Sequence, residues 1–153
     1  MLFVANKMLC AMLIAALKIG FYQPIPHLSL NNHNQLENSM SAKLANAFSL
    51  RVNQVAQIES ENLELKLLEV KSDSRCPSGV QCIWPGLVEI VIHVKTDNQA
   101  VELILIDQAG DANLASQTFD GYLIELVEVT PYSQKDQAIE IEDYSATLVV
   151  SGE

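Results

Sequence analysis

Asp73-Ser74-Arg75-Cys76-Pro77-Ser78-Gly79-Val80-Gln81-Cys82-Ile83-Trp84-Pro85-Gly86 is the stretch on which the reading of this chain turns. It holds two of the three cysteines, the single tryptophan and two of the five prolines. Cys76 and Cys82 are close in sequence, Pro77 fixes one φ angle and Gly79 permits a turn. A ring this short can bring the two Cα atoms within bonding range, and with an export signal upstream a disulfide is the leading reading. For a seven-residue ring, chain entropy gives about 2.4 kcal/mol of stabilisation. A redox-active pair normally has two intervening residues, and a zinc or copper site needs ligands beyond two thiols.

Trp84 follows Cys82 by two positions, so both side chains point to one side if a strand begins at Cys82. That places Trp84 against the disulfide, a common core arrangement in β-sandwiches, in preference to a surface aromatic used for binding. Arg75 has two readings. One is a local salt bridge with Asp73, worth little if exposed; the other is capture of a carboxylate or phosphate.

On the N-terminal side of this loop, Phe48, Leu50 and Val52 alternate with polar residues, as do Leu63, Leu65 and Leu67. That two-residue period is a half-buried strand. The phase slips at Leu68, which suggests a bulge or burial on both faces. On the C-terminal side, Val88, Ile90, Ile92 and Val94 form one apolar face, while Leu87, Glu89, Val91, His93 and Lys95 form the other. Thr96–Gln99 reads as a turn into a strand over Val101–Ile106, and 107–111 as a loop. A weak strand, Ala115–Phe119, leads to the Asp120-Gly121 turn and a strand over Tyr122–Thr130, stopped by Pro131. Ala138–Ile141 is a second weak strand, and Tyr144–Ser151 closes the domain. Short strands at this spacing, with no sustained helical period, predict a mainly β domain over 47–153. The expected architecture is an antiparallel sandwich of about seven strands, immunoglobulin- or fibronectin-like, with a small barrel as the alternative.

The amino terminus reads differently. Met8–Leu17 is a ten-residue apolar run after Lys7, interrupted at Lys18 and closed by Pro24 and Pro26. Its length fits a secretory segment, not a spanning helix of about 20 residues. Residues 1–26 are therefore expected to be a signal peptide or an N-terminal anchor. Cys10 lies near the start of the run, where a small apolar role suits it better than lipidation. Residues 27–46, rich in Asn and Ser, read as a polar linker, with His27 and His33 solvated within it.

Apolar residues make up 49% of the chain, enough for a core, and the net charge is −10 with no basic stripe. This argues against nucleic acid and against an anionic membrane surface as partners, leaving membrane contact to the N-terminal segment. His93 is the one imidazole of the β domain and is favoured as an exposed or packed residue over a ligand, although a binding role stays open. Asp107, Asp111 and Asp120 are weak metal candidates, since calcium sites occur at sandwich ends, but their spacing matches no EF-hand loop. Glu125 and Glu128 fall on opposite strand faces, which does not suit a paired-carboxylate site. The chain contains no HExxH, GxSxG, phosphate-loop or dinucleotide motif. Neither catalytic residues nor a cofactor are expected.

The residues Asp73, Ser74, Arg75, Cys76, Pro77, Cys82, Trp84 and Gly86 resemble a motif of uncharacterised bacterial exported proteins and putative lipoproteins: Asp-Ser-Arg-Cys-Pro, four residues, Cys, one residue, Trp, one residue, Gly. The motif covers 14 residues, and the strand pattern extends the likeness over the β domain. The resemblance implies an exported domain, periplasmic, envelope-anchored or extracellular, and carries no activity. The expected function is a non-catalytic module with a structural or protein-binding role in the cell envelope. The competing readings are a small-ligand or metal-binding domain using Arg75, His93 or the aspartates, a thiol-redox enzyme or hydrolase, and a secreted enzyme inhibitor presenting the 73–86 loop.

Overall fold

The computed structural model describes residues 38–109 and 111–152. The expected leader at 1–26, with Cys10, and the part of the linker that carries His27 and His33 lie outside the described residues.

Nine strands form among the described residues: β1 (Ser39–Ala42), β2 (Phe48–Arg51), β3 (Val55–Ile58), β4 (Glu64–Asp73), β5 (Leu87–Lys95), β6 (Ala100–Gln108), β7 (Ser116–Phe119), β8 (Tyr122–Thr130) and β9 (Ser145–Gly152). They build a five-stranded sheet in the order β1-β3-β4-β5-β6 and a four-stranded sheet in the order β2-β9-β8-β7. The strand order is that of two meanders, β3 to β6 and β7 to β9. β2 completes the second sheet against β9, and β1 lies parallel to β3 at the edge of the first. The two sheets make a β-sandwich, as expected, with nine strands in place of about seven and one parallel pair, β1 with β3.

Alternation sets the core. Leu65 and Leu67 of β4, Ile90, Ile92 and Val94 of β5, and Leu105 of β6 are fully buried from one sheet. Leu50 of β2, Ile124 of β8, and Ala146, Leu148 and Val150 of β9 are fully buried from the other. Each large apolar side chain so placed contributes about 1.5–3 kcal/mol relative to exposure. The phase slip at Leu68 is a bulge: the β4–β5 register steps from Leu67 to Glu69, and a second step lies between Val70 and Ser72. These two insertions keep Val70 opposite Ile90 on the inner side and bring Asp73 opposite Val88 at the strand end. Asp120 and Gly121 both have positive φ, 52° and 82°, and join paired Phe119 and Tyr122 in the tight hairpin that an Asp-Gly pair favours.

Three expectations are corrected. The domain begins earlier than residue 47, because β1 falls inside the stretch expected to be linker and buries Ala42. Its inward positions are only Met40 and Ala42, too weak an apolar signal to mark an edge strand. β3 was not predicted either, since Ala56 and Ile58 are its only fully inward residues. Conversely, 138–141 is not a strand: Ile139 packs on the core, but the backbone passes into a short 3-10 turn at Ile141–Asp143.

Candidate functional site: the stapled loop and its neighbour

Residues 74–86 connect β4 to β5 at the same end of the sandwich where residues 131–144 connect β8 to β9. The base of the first loop continues the β4–β5 ladder. Ser74 N–H donates to the Leu87 carbonyl at 2.8 Å, and Cys76 N–H to the Pro85 carbonyl at 3.0 Å. The Ser74 hydroxyl accepts from Leu87 N–H and donates to the Leu87 carbonyl, both at 3.2 Å. Gly86 is dictated by this closure. Its φ is +72°, and a Cβ there would lie 1.9 Å from the Ser74 carbonyl oxygen. Above the base, Cys76 and Cys82 are bonded, with Cα atoms 6.0 Å apart. The expected disulfide is present, and it is compatible with an oxidising compartment.

Arg75 is the tie between the two sheets at this end. Its side chain is 5% exposed. Nε donates to Asp73 Oδ1 at 2.9 Å and Nη2 to Asp73 Oδ2 at 2.6 Å, a two-point pair. Nη1 donates to the Val129 carbonyl, Nη2 to the Pro131 carbonyl at 2.9 Å, and the guanidinium lies 4.7 Å from the centre of the Tyr132 ring. The Tyr144 hydroxyl donates to Asp73 Oδ2 at 3.1 Å from the start of β9. Burial alone would raise the Asp73 pKa, but the hydrogen bonds and charge of Arg75, with the Tyr144 bond, bring it below the ordinary carboxylate value. Burial, the Asp73 charge and the same bond raise the Tyr144 phenol. Among the described residues no buried side-chain polar atom lacks a partner.

Arg75 was a candidate for binding an external anion. Its donors are occupied inside the fold, so the structure assigns it to the joint between the two loops. The Asp73 pair is not the weak surface bridge of the sequence reading but a buried one with two backbone carbonyls added.

The tip of the loop is the reverse. Ile83 is 93% exposed, Trp84 79% and Val80 40%. Packing of Trp84 into the core beside the disulfide, the expected arrangement, is overturned by this exposure. The same-side argument needs a strand starting at Cys82, whereas β5 starts at Leu87 and residues 83–84 form a bend. The neighbouring loop adds the exposed Tyr132 and Ile141. The two loops touch through Ser78 N–H and the Ser133 carbonyl, 2.9 Å, and through a bridge between Ser78 and Gln134. Beside them lies a groove of about 180 Å³ bordered by Pro131, Tyr132, Ala138, Ile139 and Asp143.

The remaining candidates do not join this site. His93 lies on the outer face of β5, between Lys66 of β4 and Glu102 of β6. Asp107 and Asp111 border an open hollow between the end of β6 and β8. Asp111 there caps the 3-10 turn at Ala112–Ala115. Asp120 sits at the opposite end of the sandwich, accepting from the Thr96 hydroxyl at 2.8 Å. Val88, the partner of Asp107, and Thr96 are eight positions apart along β5, so roughly 26 Å separates Asp107 from Asp120. The three aspartates therefore do not form one site, and among the described residues no group of three metal-ligating side chains stands together.

Sequence reasoning missed Val80, Ile83, Tyr132 and Ile141 as surface apolar residues. Ile83 and Tyr132 carried one signal, their place directly after a cysteine and a proline and outside any alternating run; Val80 and Ile141 carried none. What the two loops offer chemically is apolar and aromatic surface on a braced support. No known protein family, curated protein or solved structure matches this chain.

Proposed function

We propose that this chain is a non-catalytic exported module that binds another protein through the 74–86 loop. The observation that carries this reading is the exposure of Ile83 and Trp84 at the tip of a loop whose base is fully bonded. An isolated exposed aliphatic residue needs no explanation, but adjacent Ile and Trp, with Val80 nearby, form the kind of anchor that dominates protein interfaces. The disulfide and Arg75 hold the loop in place before a partner arrives, so little ordering is left to oppose association. The disulfide and the resemblance of the 73–86 motif to exported bacterial proteins support the compartment.

The test is site-specific photocrosslinking in the producing cell, with the photoreactive residue at position 83 of the full chain. A discrete crosslinked protein that disappears with Trp84→Ala, while a photoreactive residue on the exposed face of β2 at Ser49 gives none, is the expected result. Equal crosslinking with and without the tryptophan would overturn the reading.

A further inference from the structure

The two loops at the stapled end differ in charge, and the difference specifies the partner. Resting on the protein-binding reading above, we propose that the partner's contact surface is an apolar pocket bordered by cationic side chains. Residues 76–86 contain no charged residue. Arg75 just below them is buried and already paired with Asp73, so it projects no free positive charge. The stretch from Ser78 to Pro85 is exposed throughout, and its large apolar side chains are Val80, Ile83 and Trp84. The neighbouring loop carries Asp136, Glu140, Glu142 and Asp143 against a single base, Lys135, and all five are exposed. The site is thus an uncharged apolar projection beside an acidic border, and Asp143 also edges the groove between Tyr132 and Ile139.

Complementarity follows from two separate terms. Ile83 and Trp84 gain from removal of their apolar area from water, which needs an apolar recess. Four carboxylates at the border repel an anionic surface and attract a cationic one, with a salt dependence set by a Debye length of about 10 Å at 0.1 M. An anionic lipid surface satisfies the first term and opposes the second, so the charge favours a basic protein surface over a membrane.

Trp84 is the single tryptophan, so indole emission of the full chain reports the tip alone. The probes are two synthetic amphipathic peptides with the same leucine face and either lysine or glutamate at every polar position. Zwitterionic and anionic phospholipid vesicles serve as further arms. The lysine peptide is expected to shift Trp84 emission to the blue, with an affinity that falls as salt rises and that drops about tenfold when Asp136→Asn, Glu140→Gln, Glu142→Gln and Asp143→Asn are combined. The salt titration on the unaltered chain reads the same interaction if the combined variant does not fold. Equal binding of both peptides would overturn the cationic border and leave the protein-binding reading standing. A response to neither peptide would overturn both, and a blue shift with vesicles alone would replace the protein partner with a lipid surface.

Discussion

The base of the 73–86 loop and its tip are fourteen residues of one segment, yet they are built on opposite terms. At the base the residues are held from within: Ser74 by Leu87, Arg75 by Asp73, the Val129 carbonyl of β8 and the Pro131 carbonyl of the connection after it, and Gly86 close against the Ser74 carbonyl. At the tip, Ile83 and Trp84 stand almost wholly in solvent. The difference teaches how to divide a motif. Residues at the base answer to the fold, and substituting them should unfold or loosen it. Residues at the tip are not used by the fold, and in the proposed reading they serve a partner; substituting them should leave the fold intact.

The largest expected effect is at Arg75. Arg75→Ala leaves Asp73 buried without its charge partner and strips the donors from the Val129 and Pro131 carbonyls. Removing one member of a buried pair costs about 3–5 kcal/mol, to be measured by urea denaturation. Arg75→Lys should recover only part of this, because one ammonium cannot span the Asp73 carboxylate and both carbonyls. Next comes the disulfide: replacing Cys76 and Cys82 together by serine should cost about 2.4 kcal/mol, with β-sheet circular dichroism unchanged. Gly86→Ala should cost about 1–3 kcal/mol, since the new Cβ meets the Ser74 carbonyl at a backbone angle alanine rarely adopts.

A smaller and pH-dependent effect arises at Asp73. Its folded pKa lies below the unfolded value of about 3.9, so its stabilising contribution is complete above that pH and is lost as pH falls through the folded value. Tyr144 gives the opposite limb: its folded pKa is raised, so its contribution holds below pH of about 10 and is lost as pH rises through the folded value. Stability measured against pH should therefore show both limbs, and Asp73→Asn should flatten the acid one.

The division between base and tip also marks what was legible in the sequence. Long alternating runs such as Leu87–Lys95 specify a strand and its buried face at once, and of the two readings of the Leu68 slip, a bulge or burial on both faces, the structure has the bulge. β1 and β3 escaped because Met40, Ala42 and Ala56 carry little of the apolar contrast on which periodicity rests. The cysteine pair was legible because a short ring constrains geometry locally. Of the partners of Arg75, Asp73 was legible two positions away, but the other two were not, because they are backbone carbonyls 54 and 56 residues away, and carbonyls have no residue signature. Trp84 was misplaced for a related reason: its face was inferred from a strand that begins three residues too late to include it.

Trp84→Ala in the full chain, followed by urea denaturation with circular dichroism as the probe, tests the central claim most directly. A midpoint and slope matching the unaltered chain, with a stability change within about 0.5 kcal/mol, is the result we expect of a side chain that the fold does not use. A loss of about 3–5 kcal/mol, the cost of deleting a buried tryptophan, would show that the tip belongs to the core and would contradict its assignment to a partner.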